Sequence, residues 1–203
     1  DDPISILAQP GAKDCCMELN SLSKAHNMAG WRIGMVAADS EIIAEILKVK
    51  SQMDSGMFKP LQLAAVQALA QGPEWFEELN AEYRRRRVLA GRIFDLLGAE
   101  YDHDSAGMFL WGRIKTSVAS SARGWGNANS GHQADQSAEQ RVSIGQQVSD
   151  RLLYEAGVFI TPGFIFGKNG ENYIRISLCA KPEVLKRAAE KIRNVILNEV
   201  KDL

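Results

Sequence analysis

The stretch Ser21-Leu22-Ser23-Lys24-Ala25-His26-Asn27-Met28-Ala29-Gly30-Trp31-Arg32-Ile33-Gly34 decides how this chain is read. It sets a lysine in a Ser/Gly-rich turn between two apolar runs, with an arginine eight residues later. A lysine attacks a carbonyl or takes up a proton only after losing its own, so it needs surroundings that disfavour the ammonium. Hydroxyls and a planar guanidinium fork are the donors that hold an oxyanion such as phosphate. Ser21, Ser23, Lys24 and Arg32 bring these parts together within a dozen residues. Alone, Ser-x-Ser-Lys favours a polar turn with a surface lysine.

Ser21-x-Ser23-Lys24 followed by Gly30-Trp31-Arg32-x-Gly34 closely resembles the lysine signature of the pyridoxal-phosphate-dependent aminotransferases of fold type I, class I/II. The resemblance covers nearly all of this sequence but only the C-terminal part of the family's length. It implies an α/β fold in two parts. Residues 1–89 would be the end of a large cofactor-binding domain, including the start of the helix that joins the domains. Residues 90–203 would form a small α+β domain. The resemblance implies pyridoxal 5′-phosphate as cofactor, an amino acid and a 2-oxo acid as substrates, and a homodimer in the full-length form. It also implies that Lys24 attaches the cofactor through its amine and then serves as base and acid at the substrate's alpha carbon. Ser21 and Arg32 match the positions that hold the phosphate, with Ser23 a weaker candidate for the same role.

Working outward, Pro10-Gly11 signals a turn, and Cys15-Cys16-Met17-Glu18-Leu19 predicts a buried strand leading into the lysine turn. Ile33 to Ala38 predicts its partner strand, and Asp39 offers an N-cap for a helix over residues 41–50. Pro60 opens a helix over 61–71 that Gly72 should cap, and Pro73 suits the first position of a long helix ending at Gly98. That helix carries Arg84-Arg85-Arg86-Arg87. On a helix these four point around most of the circumference, so they read as a solvated, ion-paired face rather than a nucleic-acid patch.

Past Gly98, residues 108–114 predict a strand, and 117–136 read as a surface insertion rich in Ser, Ala, Gly, Asn and Gln, with Trp125 and His132 inside it. A helix over 137–156 should stop at Gly157, with strands at 158–161 and 173–178 and a final helix opened by Pro182. In the second of those strands Ile174 and Ile176 alternate with Arg175, so the arginine should face away from the packed side. A guanidinium there is a surface residue or one reserved for an anion. Resemblance to the family tilts this to the second, with Arg175 gripping the substrate's alpha-carboxylate. Ser51-Gln52, in a loop after a helix, matches a family loop that approaches the partner subunit's cofactor, although Gln replaces the usual Asn.

Composition removes several other classes. At 203 residues, 45% hydrophobic and 24% charged, the chain has ordinary globular composition, and a net charge of −1 gives no sign of a nucleic-acid partner. No apolar run reaches membrane-spanning length, and no metal-like spacing links the three histidines to cysteines or carboxylates. Three cysteines, two of them adjacent, read as small buried hydrophobes in a reducing compartment, the cytoplasm by default. The family's acidic partner for the pyridine nitrogen, its ring-stacking aromatic and its glycine-rich phosphate turn precede the lysine. The expectation is therefore an aminotransferase whose 203-residue part does not turn over alone. A non-catalytic remnant, or a carbon–sulfur lyase on the same scaffold, stays open.

Overall fold

The computed structural model describes residues 4–115 and 142–201, with side chains to residue 198. The expected insertion over 117–136, with Trp125 and His132, lies outside the described residues. The chain divides into two compact units, Asp1–Glu78 and Leu79–Leu203.

In the first unit, strands β1 (Met17–Ser21) and β2 (Gly34–Ala38) pair antiparallel, from Met17 opposite Ala38 to Ser21 opposite Gly34. Between them the chain makes a one-turn helix, α1 (Leu22–Ala25), and a 3-10 turn at Ala29–Trp31. Helix α2 (Ser40–Met53) starts where Asp39 caps it, the Asp39 carboxylate accepting from the Glu41 amide at 2.8 Å. Pro60 sits in the first turn of α3 (Lys59–Leu69). That helix ends at Ala70, so Gly72 is not its cap; Gly72 instead stands directly before α4 (Pro73–Leu96). The unit's core is small: Leu22, Met28, Ile33 and Ala65 are buried, with Leu61, Ala64 and Ala68 packed against them. Met17, Leu19, Met35 and Val36 of the hairpin are exposed.

The second unit holds a four-stranded antiparallel sheet in the order β3 (Ala99–Tyr101), β4 (Phe109–Ile114), β6 (Tyr173–Ser177), β5 (Thr161–Pro162). Its helices are the body of α4, α5 (Ile144–Ala156) and α6 (Pro182–Lys201). Alternation along β4 and β6 sends Leu110, Ile114, Ile174 and Ile176 into one core with Leu89, Ala90, Ile93 and Phe94 of α4, Val148 and Leu152 of α5, and Leu185 and Ile192 of α6. Each such side chain contributes roughly 1.5–3 kcal/mol of burial, which is why this unit is the better built of the two.

Several expectations change. Of the strand expected over 158–161 only Thr161 is in β5, which runs on to Pro162. Cys15 and Cys16 lie outside β1, with Cys15 exposed and Cys16 half-buried, and Cys179 is exposed as well. The arginine run is only partly solvated. Arg85 and Arg86 both pair with Glu82, at 3.0 and 2.7 Å, as expected. Arg86 also donates to the Leu178 carbonyl at 3.1 Å and Arg87 to the Gly107 carbonyl at 3.0 Å. These two cations close the ends of backbone loops, a role that no run of like residues announces. Among the described residues no helix is long and apolar enough to cross a membrane.

Candidate functional site

Lys24 stands on α1, not in an irregular turn, and the helix has a local cause. The Ser21 hydroxyl accepts from the Ser23 amide at 3.2 Å, which makes Ser21 the N-cap. The Leu22 amide donates to the Ile33 carbonyl at 3.3 Å, prolonging the β1–β2 ladder by one bond. The Leu22 carbonyl in turn accepts from the His26 and Met28 amides, each at 3.3 Å. Burial of Leu22, Met28 and Ile33 anchors the turn from below and leaves Lys24 exposed.

The same ladder brings Arg32 to the end of the hairpin that carries Ser21. Arg32 has a left-handed backbone, φ 53°, and its guanidinium donates one N–H to the Ala29 carbonyl at 2.9 Å. For a residue with a Cβ this conformation costs on the order of 1–3 kcal/mol. It is held two residues before Gly34, whose backbone pairs with Ser21. Ser21 and Arg32 are exposed and Ser23 is half-buried. Between Asn20 and Gly34 the sequence has no carboxylate, and among the described residues neither Lys24 nor Arg32 makes an ion pair. One amine, hydroxyls and a guanidinium without a counter-charge are the donor set that an aldehyde bearing a phosphate requires, so the residues fit pyridoxal 5′-phosphate.

Two contacts that sequence reasoning missed hold the lysine helix from the side. The indole of Trp75 donates to the Ala25 carbonyl at 3.4 Å, and the Phe76 ring meets His26 edge-on at 5.6 Å. Their signal was two adjacent aromatics in the first turn of a helix, which by itself only marks a packed end.

In the second unit Arg175 behaves as the alternation predicted: Ile174 and Ile176 are buried and Arg175 is half-buried on the other face. Its partners there are aromatic. The guanidinium carbon lies 4.3 Å from the Phe109 ring centre, 4.2 Å from that of Phe166 and 6.0 Å from that of Trp111. Trp111 pairs with Arg175 across β4–β6 and meets Phe166 edge-on at 5.1 Å. Phe166 is held by a loop in which Gly163 and Gly170 touch backbone to backbone. A Cβ on Gly163 would stand 2.4 Å from the Gly170 carbonyl oxygen, which no side chain allows. Arg175 and Thr161 also line a cavity of about 500 Å³ beside α6.

The stacked rings orient the guanidinium but do not neutralise it. Cation–π contacts contribute roughly 0.5–2 kcal/mol each, while the charge is half withdrawn from water. Phe109 and Trp111 were legible as same-face residues of one strand; their place over Arg175 required the pairing of β4 with β6. The expected loop residue Gln52 is instead exposed in the last turn of α2, where Lys50 pairs with Asp54. The lysine group thus belongs to the first unit and Arg175 to the second.

The sequence profile of the family "Aminotransferase class I and II" matches residues 2–192. The LL-diaminopimelate aminotransferase of Natranaerobius thermophilus is 36% identical over 94% of this chain and 43% of its own length. That of Aquifex aeolicus is 36% identical over 97% and 44%. Among solved structures, an aromatic aminotransferase from Pyrococcus horikoshii superposes with a TM-score of 0.75 at 30% identity, over 98% of this chain and 48% of that one. BacF from Bacillus subtilis gives a TM-score of 0.75 at 30% identity, over 96% and 46%. The chain spans less than half the length of the curated relatives it matches. With the lysine helix, the β1–β2 hairpin and the stacked Arg175 all inside the matched region, the chain belongs to the class I and II aminotransferases, a family that works with pyridoxal 5′-phosphate.

Proposed function

We propose that this chain supplies the lysine-bearing and carboxylate-binding parts of an enzyme that moves an amino group between an amino acid and a 2-oxo acid. The observation that carries this reading is the arrangement of Ser21, Lys24 and Arg32 around one end of the β1–β2 hairpin. The bound cofactor supplies the electron sink for carbanion chemistry. The Ser21 hydroxyl and the N–H groups of Arg32 other than the one given to Ala29 would hold its phosphate, with Ser23 as a further donor. The Lys24 amine, carried on a helix anchored by Leu22 and Met28, would take the proton from the substrate's alpha carbon and hold it for return. The Arg175 fork grips the alpha-carboxylate, and its aromatic walls exclude water from that ion pair.

This half serves what all such substrates share, an amine and a carboxylate. Matched relatives are named for diaminopimelate and for aromatic amino acids, which supports leaving the choice of side chain to other parts of the enzyme. Val49, Met53 and Phe58, exposed at and after the end of α2, suit a homodimer contact in the full-length form. The free thiols of Cys15, Cys16 and Cys179 suit the cytoplasm.

The test uses the full-length, cofactor-loaded enzyme with single amino acids and 2-oxo acids, followed by product analysis. A new amino acid paired with a new oxo acid is expected. Pyruvate and a thiol formed from a sulfur amino acid would replace this reading with the lyase.

A further inference from the structure

In an extended strand adjacent side chains point to opposite faces, so two neighbouring cysteines should hold their sulfurs well apart. Here they do not. Cys15 closes the 3-10 turn Ala12–Asp14 with φ −143° and ψ −2°, and β1 begins only at Met17. The Cys15 and Cys16 amides both donate to the Ala12 carbonyl, at 3.2 and 2.7 Å, which fixes the kink. The two sulfurs stand 3.8 Å apart, and Cys15 Sγ lies 3.8 Å from the Gly11 carbonyl oxygen. Cys15 is exposed and Cys16 is half-buried.

Two such thiols can be joined directly or through a third atom. A direct bond needs sulfurs about 2.05 Å apart, so this spacing would have to shrink by nearly half on a backbone pinned by two amide bonds. A soft centre with bonds to sulfur of about 2.3 Å spans the gap without that closure. Zinc is such a centre, but it takes about four donors. Among the described residues no three His, Cys, Asp or Glu side chains are grouped to supply them. A trivalent arsenic atom that already carries one organic group needs two thiolates and nothing more.

We propose that Cys15 and Cys16 form a preorganised dithiol that captures monosubstituted trivalent arsenicals as a cyclic dithiolate. In that step the two As–O bonds of R–As(OH)2 break and two As–S bonds form. The two thiol protons leave with the oxygens as two waters, and arsenic and sulfur keep their oxidation states. The Cys15 hydrogen bond pushes the Cys16 thiol up from its ordinary value, so Cys16 carries its proton at neutral pH and releases it in the condensation. The pair sits at the entry to the strand that ends in Ser21, apart from the donors assigned to the cofactor.

The chain is treated with phenylarsine oxide, which hydrates to the dihydroxy form, then challenged with excess glutathione and read by intact mass and peptide mapping. One phenylarsenic group per chain should survive glutathione, map to the peptide with Cys15 and Cys16, and be removed by a small dithiol. Cys15→Ser and Cys16→Ser should each lose the group to glutathione, with circular dichroism verifying that both variants fold. Cys179→Ser and Lys24→Ala should keep it as the unaltered chain does. An adduct that washes off the unaltered chain, maps to Cys179 or survives in either single Ser variant would overturn the proposal.

Discussion

Gly34 lies directly across the hairpin from Ser21, and a Cβ built on it would stand 2.6 Å from the Asn20 carbonyl oxygen. The obstacle is backbone, not the tip of a flexible side chain. The last glycine of the motif is therefore what lets β2 start flush against the residue that caps the lysine helix. Gly34→Ala should open the ladder at that end. The expected cost is roughly 1–3 kcal/mol, with weakened cofactor retention. Thermal melts and cofactor titration of the full-length enzyme check this; a variant equal to the unaltered enzyme in both would show that the strands shift freely.

Lys24 should be the point of covalent attachment. Borohydride reduction of the cofactor-loaded, full-length enzyme followed by peptide mapping should place the label on Lys24, and Lys24→Ala should take none. A label on Lys13 or Lys50 would sink the assignment.

Arg175→Lys keeps the charge but loses the planar fork and its stacking between Phe109 and Phe166. A hydrogen bond to a charged group contributes about 1.5–3 kcal/mol, so apparent affinity for amino and oxo acids should fall roughly ten- to hundredfold. Cofactor binding, read from its absorbance, should be unchanged. Unaltered kinetics would make Arg175 a strand-surface residue.

Glu100 of β3 pairs with Lys115 at 2.8 Å, and the Lys115 hydrogen bond and charge hold its carboxyl below the usual carboxylate range. A carboxyl depressed by folding adds stability above its unfolded value of about 4.3, and that stability is lost as pH falls through the lower folded value. Glu100→Gln should thus lower the melting temperature slightly at neutral pH and leave it unchanged in strong acid. Both side chains are exposed, so added salt should shrink the difference. A gap that persisted in acid would point to packing and not charge.

What was legible in the sequence had a local cause. Asp39, Pro60, Pro73 and Gly157 each act on the few residues beside them, and the helices begin or end where those residues require. The alternation of Ile174, Arg175 and Ile176 gave the arginine its face for the same reason. The rest depended on distant partners. Phe109 and Phe166 cover Arg175 only because β4 pairs with β6 and because Gly163 meets Gly170. Trp75 and Phe76 reach the lysine helix across some fifty residues of chain. The Cys15–Cys16 pair misled because its apolar neighbours suggested a strand, while two amides sharing the Ala12 carbonyl bend the chain there.

Helix α4 runs unbroken from Pro73 to Leu96, and the division between the units falls inside it. Leu89, at the boundary drawn from resemblance, is buried in the core of the second unit, and Tyr83 and Arg86 pack on that unit as well. A protease therefore meets hydrogen-bonded helix at the division, where an extended linker would be the easy cut. Dissection at Ala90 would strip the sheet of Leu89 and of the Arg86 clamp on Leu178. A stable C-terminal piece should begin no later than Leu79, where the second unit starts.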